Sequence, residues 1–244
     1  MESIQCDQLS PEWFLLHVGR ATGSHAGDIL DFTLKGIEGS TRRSYRLLKA
    51  AEILTGIGIG IEENYVSPEM EWGIATEKKA RRAYALEEGV FVEQVGFVIG
   101  DDGRFGCSPD GLVGDKGLVG FKCPKTITHL RWILDGVIPE DHLPQARFEL
   151  MVNTDREWFD FVTFDPRITG RHKPKQMMTI RLERADAKIE AMRAAADRFM
   201  DEVAETVLRL DRIAPPVEIE EEEAVSVPVD QSGMLTDADF EGLN

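Results

Sequence analysis

The spacing of apolar residues along the chain predicts a succession of helices and strands. Residues 39–55 and 68–88 carry apolar side chains at three- and four-residue steps, which is typical of amphipathic helices. In the first of these helices we expect one apolar side, formed by Leu47, Ala50, Ala51 and Leu54. Ser10 followed by Pro11 predicts the start of a shorter helix, because serine caps helices and proline suits their first position.

Runs rich in β-branched and aromatic residues predict strands, at 90–100, 112–113, 118–123, 157–164 and 177–182. Two further helices are expected between the third and fourth of these strands, at about 126–135 and 142–153. A last helix is expected over about 183–212, before Pro215 and Pro216. Its apolar positions recur at helical spacing: Ile189, Met192, Ala196, Phe199, Val203, Val207 and Leu210.

The composition is that of a globular protein, with 244 residues, 42% hydrophobic and 30% charged. No apolar run approaches the roughly 20 residues that span a bilayer. The N-terminal segment lacks a basic start followed by an apolar stretch, so we expect a cytoplasmic protein. Three cysteines without paired spacing argue against a disulfide framework, a zinc site or a four-cysteine iron–sulfur cluster.

The net charge of −16 is unfavourable for a protein that would bind a polyanion. Residues 213–244 hold nine acids and neither Lys nor Arg, so −7 remains for residues 1–212. Any contact with DNA must therefore use a local basic lining. We expect a folded domain over 1–212 and a flexible tail over 213–244. The tail is either a solubilising end or a docking peptide anchored by Met234, Leu235, Phe240 and Leu243.

Candidate chemistry is concentrated in the stretch CSPDGLVGDKGLVGFKCPK, residues 107–125. Hydrolysis of a phosphodiester bond with Mg²⁺ needs several oxygen ligands, a water nucleophile and a nearby cation. Asp110 can supply oxygen, Lys122 can supply the cation, and Glu77 can face both from the helix at 68–88. Taken singly, these residues are a turn aspartate, a strand lysine on a solvated face and a surface acid. Only their combination favours a metal site.

The chain resembles the lambda exonuclease family, also called YqaJ-type viral recombinases, of the PD-(D/E)xK nuclease superfamily. The resemblance covers roughly residues 9–212 and depends on several blocks in one order. These are Ser10-Pro11-Glu12-Trp13, Ser44-Tyr45, Glu52 to Gly56, Met70 to Gly73 with Glu77, Ser108 to Gly111, Lys122-Cys123-Pro124, Gln145, Arg156-Glu157-Trp158 and Asp165-Pro166-Arg167.

The resemblance implies an α/β fold with a restriction-endonuclease-like core, a mixed central sheet flanked by helices. It implies a Mg²⁺-dependent exonuclease, with Mn²⁺ as a substitute, that degrades the 5′ strand of a DNA duplex for recombination. It also implies a homotrimeric ring around double-stranded DNA ends, a single-strand annealing protein as partner, and the cytoplasm of a bacterium that hosts a phage or prophage.

The resemblance also implies a role for individual residues. Glu77, Asp110 and the main-chain carbonyl of Phe121 would be metal ligands. Lys122 would orient or deprotonate the attacking water, and Gln145 would help to position it. The residues expected to hold the 5′-phosphate are Ser24, Ser108 and His17, which replaces an arginine of the family, with Lys125 or His129 as compensating groups.

Gly120 is the main departure from the family pattern, because it stands where the family has a glutamate that ligates the metal. Side chains at 120 and 122 point to the same face of a strand, so an acid at 120 would lie beside Lys122. Asp115 is the nearest acid in the sequence but falls in the turn between two strands. The sequence thus leaves two functions open, an exonuclease with an impaired site or an inactive member that binds DNA ends and a recombination partner.

Overall fold

The computed structural model describes residues 1–58 and 68–216 of the chain. Residues Met1–Arg209 form one compact unit, and Leu210–Asn244 a second, of which 210–216 are described. The helices in the described ranges are α1 (Pro11–His17), α2 (Ala26–Ile29), α3 (Ser40–Thr55), α4 (Pro68–Glu88), α5 (Thr126–Asp135), α6 (Leu143–Val152) and α7 (Lys188–Ile213). None of them is long and apolar enough to cross a membrane.

The strands in the described ranges form two sheets. They are β1 (Glu2–Ile4), β2 (Ala21–Thr22), β3 (Val92–Glu93), β4 (Phe97–Ile99), β5 (Phe105–Cys107), β6 (Gly111–Val113), β7 (Gly117–Lys122), β8 (Trp158–Phe164) and β9 (Met177–Glu183). The first sheet has the order β1-β4-β5-β2 and the second the order β3-β6-β7-β8-β9. In the second sheet β7 and β8 are parallel and the other neighbours antiparallel, so the predicted mixed sheet is confirmed.

Helices cover both faces of the five-stranded sheet. On one face Ala80 and Tyr84 of α4 pack against Val119, Phe121 and Val162. On the other face residues of α6 and α7 pack in one cluster with Leu118, Phe159 and Phe161. Alternate residues of β7 therefore point to opposite layers. Leu118, Gly120 and Lys122 lie on the side of α6, and Val119 and Phe121 on the side of α4.

The run at 90–100, predicted as one strand, is two short strands that belong to different sheets. β3 pairs with β6, whereas β4 pairs with β1 and β5. The β-branched and aromatic residues of the run indicated strand correctly, but Gly96 interrupts it. A Cβ at Gly96 would come within 2.4 Å of the Cys6 carbonyl oxygen, so only glycine lets the N-terminal segment pass here.

The predicted apolar side of α3 is correct at Ala50, which is 1% exposed, but wrong at its two leucines. Leu47 and Leu54 are about half exposed, at 49% and 51%. The buried residues of the helix are Arg42, Tyr45, Lys49, Ala50 and Glu52. Arg42 donates to Glu38 and to Glu202 of α7, and Lys49 pairs with Glu52 at 2.8 Å, so charge pairing makes the burial of these side chains possible.

Side-chain caps fix the residues at which two helices, α1 and α7, begin. Ser10 accepts the Trp13 N–H at 3.2 Å, which confirms the predicted start of α1. α7 begins at Lys188, later than the predicted 183, because Glu183 still belongs to β9. Asp186 accepts the Lys188 N–H at 2.9 Å and so caps the helix. The tail from 217 lies outside the described residues, and its flexibility stays a prediction.

Candidate active site

Asp110 is positioned where the two sheets meet. It lies between β5 and β6, and its Oδ2 accepts the main-chain N–H of Phe121 at 2.7 Å. Because β6 pairs with β7 only as far as Gly111 and Val119, residue 121 has no strand partner on this edge. In a strand the N–H and C=O of one residue point to the same edge. The Phe121 carbonyl, predicted as a metal ligand, therefore points to the same edge as Asp110.

Lys122 begins a chain of polar contacts that leads into helix α6. Its Nζ donates to Oε1 of Gln145 at 3.2 Å. The amide Nε2 of Gln145 donates in turn to Oε1 of Glu149 at 2.9 Å, one helical turn further on. Glu149 is 2% exposed, and its second oxygen, Oε2, has no hydrogen-bond partner. The face of β7 that carries Lys122 thus opens towards a buried carboxylate on α6.

Glu77 reaches the same region from α4. It pairs with Arg81, one turn along the helix, and its side chain is 32% exposed. Glu77 and Lys122 line a cleft of about 620 Å³, together with Phe121, Lys125 and His142. Glu77 and Asp110 also line a smaller hollow of about 310 Å³. The structure therefore places Glu77 between the cleft and Asp110.

Gly120 is packed against an aromatic ring. A Cβ at this position would lie 2.6 Å from Cζ of Phe159, on the neighbouring strand β8. Phe159 is 4% exposed and belongs to the core between the sheet and α6. The volume that a side chain at 120 would enter is thus filled by this ring. Asp115 lies in the turn between β6 and β7, as predicted, and is exposed.

The three carboxyl groups of this region hold their protons more tightly than free acids. Burial and the charge of Asp110 raise the pKa of Glu77 to about 7, against the opposing effect of Arg81 and Lys122. Burial and Asp110 likewise raise the pKa of Glu149 to about 8. Burial also raises the pKa of Asp110, although Lys122 and the Phe121 N–H oppose it. Clustered carboxyl groups with raised pKa values are typical of functional sites, and a bound cation would offset the repulsion between their negative charges.

Ser24 and Ser108, the predicted phosphate-binding serines, lie at one edge of the four-stranded sheet. β2 and β5 are parallel, with Ala21 opposite Phe105 and Thr22 opposite Gly106. Ser24 lies in the 3-10 turn Gly23–His25 that directly follows β2, and Ser108 directly follows β5. Ser24 is exposed, and Ser108 accepts a hydrogen bond from Nε1 of Trp13 at 2.8 Å.

The His17 ring contacts the same tryptophan in a tilted arrangement, at 3.8 Å between ring centroids, and its Nδ1 bonds to the Trp13 carbonyl at 2.7 Å. Burial lowers the pKa of His17 to about 4, so at neutral pH it offers a neutral ring rather than a cation. Lys125 is exposed and lines the cleft beside Lys122.

His129 does not compensate for the missing arginine. It is fully buried, with Nδ1 bonded to Thr163 Oγ1 and Nε2 to the Lys175 carbonyl, each at 2.8 Å. Both ring nitrogens are thus used to join α5 to the sheet and to the segment before β9. The expectation that it could hold a phosphate is wrong for that reason.

The cleft has a locally basic and aromatic rim despite the acidic chain. Arg167 lies over the Trp72 ring at 4.6 Å, and both line the cleft with Lys122 and Lys125. Asp165, fully buried, fixes Arg167 through Nε at 2.7 Å. Burial alone would raise the pKa of Asp165, but the hydrogen bonds from Arg167 and Thr126 hold it below its usual value. This rim is the local basic lining that contact with a polyanion requires.

The donor set suits a hard divalent cation, because carboxylate and carbonyl oxygens are the ligands that Mg²⁺ prefers. Within 1–58 and 68–216, no three His, Cys, Asp or Glu side chains are already gathered as a ready metal cage. Asp110 and Glu77 are each engaged, with Phe121 and Arg81, whereas Glu149 Oε2 is buried without a partner. The fold and these residues define an α/β protein in which carboxylates from two segments and a lysine from a third lie in one region.

Comparison with known proteins agrees with this class. The YqaJ-like viral recombinase domain matches residues 12–157, and the chain belongs to that family. An alkaline exonuclease from Laribacter hongkongensis is 31% identical, with a TM-score of 0.73, over 84% of this chain and 98% of that one. Its complex with dAMP gives the same values. The predicted family and the restriction-endonuclease-like fold are therefore confirmed.

A phage-related exonuclease from Haemophilus somnus 129PT shares the fold at 13% identity and a TM-score of 0.54, over 79% of this chain and 98% of that one. No curated protein matches the chain.

Glu149 is the site residue that reasoning from the sequence missed. It lies in the run Phe148 to Val152, where every other residue is apolar and buried. An acid within a buried apolar run, four residues after Gln145, is the signal that could have found it. The role of Arg167 and Trp72 in lining the cleft was missed as well, since it depends on α4 meeting the segment after β8.

Proposed function

We propose that this protein is a metal-dependent exonuclease that degrades the 5′ strand of double-stranded DNA for recombination by strand annealing. The observation that carries the proposal is the convergence of Glu77, Asp110 and Lys122 from three separate segments. Glu77 and Lys122 line a cleft with a basic rim, and Glu77 also lines a smaller hollow with Asp110. The 31% identical alkaline exonuclease, matched over nearly its whole length, supports the reaction class.

Asp110, Glu77 and the Phe121 carbonyl would hold Mg²⁺, or Mn²⁺ in its place. When bound, such a cation supplies electrostatic stabilisation of the charge that develops on the phosphate. Lys122 lies on the same face of β7 as the opening towards α6. There its ammonium form can orient a water and offset negative charge, and its neutral amine form would be the one that takes a proton from the water. Gln145 fixes the Lys122 ammonium through its Oε1 at 3.2 Å.

The two serines at the ends of β2 and β5 would hold the terminal 5′-phosphate. Their hydroxyl groups can donate to phosphate oxygens, and Trp13 orients Ser108 through its indole N–H. His17 would add a neutral hydrogen-bonding group in place of a cation, which weakens the site compared with an arginine. Lys125 and Arg167 in the cleft would instead contact the DNA backbone further along.

The test is a digestion time course on linear duplex DNA with 5′-phosphate ends, in Mg²⁺ and separately in Mn²⁺. We expect nucleotides to be released from the 5′-labelled strand, and Asp110→Asn to slow this by about 10²–10⁴, as loss of a metal-binding carboxylate does. Duplex with 5′-hydroxyl ends serves as the control for phosphate recognition. Absence of digestion by the unaltered chain in both metals would overturn the proposal.

Gly120 favours a second candidate, an inactive ring that binds DNA ends. If no group replaces the absent acid, a loss of about 3–5 kcal/mol of transition-state stabilisation lowers the rate on the order of 10²–10⁴. Binding of 5′-phosphorylated ends without digestion, measured by fluorescence anisotropy, would establish this candidate.

The assembly and partner are part of the proposal as well. A homotrimer would enclose the duplex and is tested by light scattering at several protein concentrations. A single-strand annealing protein would be the partner, with residues 213–244 as its docking segment. Deleting the tail should then abolish binding, whereas unchanged binding would show that the tail is not the docking segment. Cytoplasmic location follows from this role.

A further inference from the structure

Glu149 is a buried acid whose burial the fold does not explain. It is 2% exposed among Phe148, Leu150 and Met151, where an apolar side chain would pack at lower cost. Gln145 donates to one oxygen, and Oε2 has no partner. Of the buried side-chain atoms without a partner in the described part of the chain, Oε2 is the one oxygen, the others being nitrogens of Arg20, Trp72, Arg81 and Arg156.

Glu149 is linked through Gln145 to the face of β7 on which an acid at position 120 would lie. Positions 120 and 122 lie on the same face of β7, and Lys122 on that face bonds to Gln145 of α6. Glu149 follows Gln145 by one turn on the same side of α6 and is bonded to it. A carboxylate from α6 therefore lies on the side of β7 to which a side chain at 120 would point.

Position 120 itself is closed to a side chain by Phe159, at 2.6 Å from the position of a Cβ. The site lacks one acid on the strand and carries one additional acid on the facing helix, one of whose oxygens has no hydrogen-bond partner. We infer that Glu149 replaces the glutamate absent from position 120 and binds the divalent cation together with Asp110. This inference rests on the proposed function, since it assigns a ligand to the same metal site.

The first measurement is Mn²⁺ binding, followed by the electron paramagnetic resonance signal of free Mn²⁺ in the absence of DNA. We expect Glu149→Gln and Asp110→Asn each to weaken binding at least tenfold. Glu149→Asp keeps the charge on a shorter side chain and should give an intermediate affinity. Glu190→Gln, an exposed acid of α7, is the matched control and should leave the affinity unchanged.

The second measurement is the melting temperature without metal, which separates a ligand from a structural acid. As a ligand, Glu149 is an unsatisfied buried carboxyl in the metal-free protein, so Glu149→Gln should melt at the same temperature or higher. A structural role predicts a lower melting temperature with unchanged Mn²⁺ affinity, and that result would overturn the inference. Mn²⁺ should raise the melting temperature of the unaltered chain but not of Glu149→Gln.

The two proposals fail in different ways. If the unaltered chain binds no Mn²⁺ and Asp110→Asn changes nothing, the metal-dependent function itself is wrong. If Asp110→Asn loses Mn²⁺ but Glu149→Gln and Glu149→Asp bind it like the unaltered chain, only the assignment of Glu149 is wrong. A loss in both Asp110→Asn and Glu149→Gln, with the fold retained, establishes the replacement.

Discussion

Replacing Gly120 tests whether packing, rather than catalysis, requires glycine at this position. A Cβ here would lie 2.6, 3.3 and 3.5 Å from three atoms of the Phe159 ring. Contacts below 3.0 Å do not occur between real Cβ atoms and neighbouring groups, so the ring must move. Phe159 is 4% exposed and surrounded by core residues of α6 and α7, which leaves it little room.

The expected cost of Gly120→Ala follows from two opposing effects. Overpacking a core typically costs about 1–3 kcal/mol, and replacing glycine within a strand returns about 0.5–1 kcal/mol of backbone entropy. We therefore expect a net loss of about 1–2 kcal/mol, or a melting temperature about 2–8 °C lower for a chain of this size. Gly120→Glu must also bury a carboxylate beside Asp110 and Glu149, so its loss should be larger, about 3 kcal/mol or more.

Thermal unfolding followed by circular dichroism, at one pH and with a chelator present, measures these differences. Gly27→Ala is the control, because no heavy atom lies within 4 Å of a Cβ there and the residue belongs to helix α2. That variant should melt at the same temperature or higher. Adding Phe159→Leu to Gly120→Ala removes the tip of the ring and should recover part of the loss. A Gly120→Ala variant as stable as the unaltered chain would refute the packing argument.

Gly120→Glu should also affect catalysis. Because Gly120→Glu disturbs the core and adds a further negative charge, we expect it to digest DNA no faster than the unaltered chain. Faster digestion with an unchanged melting temperature would contradict both the packing argument and the assignment of Glu149.

Three other predictions concern the cation, the phosphate and the histidine. Lys122→Gln should lower kcat by about 10²–10⁴, which single-turnover rates measure. Mn²⁺ binding should be kept or strengthened, because a nearby positive charge is removed, and calorimetry measures that binding. Ser108→Ala should lower the preference for 5′-phosphate over 5′-hydroxyl ends several-fold. Trp13→Phe should do the same, because it loses the hydrogen bond to Ser108. If the unaltered chain and both variants digest the two kinds of end equally well, the role of Ser108 in phosphate binding is contradicted. His17, with a pKa lowered to about 4 by burial, is neutral when folded but takes up a proton when unfolded below about pH 6.5, so its neutral form destabilises the fold as the pH falls from 6.5 to 4. Between pH 6.5 and pH 4, the free energy of unfolding of His17→Gln should therefore fall by about 1–2 kcal/mol less than that of the unaltered chain. This is less than the whole pKa shift would give, because the ring is partly exposed.

Local motifs predicted the elements that carry chemistry because their signals are short in range. Asp110 before β6, Lys122 at the end of β7 and Glu77 on α4 each follow from a strand, turn or helix pattern within about ten residues. The family resemblance then indicated that these elements meet.

Features that depend on distant partners could not be read in the same way. The buried side of α3 carries Arg42, which is paired with Glu202, 160 residues further on. An apolar periodicity cannot reveal a charge that is buried because of a partner so far along the chain. The division of 90–100 between two sheets depends likewise on β1 and β5, whose three-residue strands give almost no pattern of their own.

The position of an acid in the sequence matters less to a metal site than the point in space that its oxygens reach. Strand β7 and helix α6 face each other across that point, as the bonds from Lys122 to Gln145 and from Gln145 to Glu149 show. If both 120 and 149 were acids, their charges would repel those of Asp110 and Glu77. If neither position held an acid, the site would have one ligand too few. The Phe159 ring fills the volume beside Gly120, and Glu149 occupies a buried position where an apolar side chain would pack at lower cost. Each of the two residues is therefore unfavourable alone and compatible with the other.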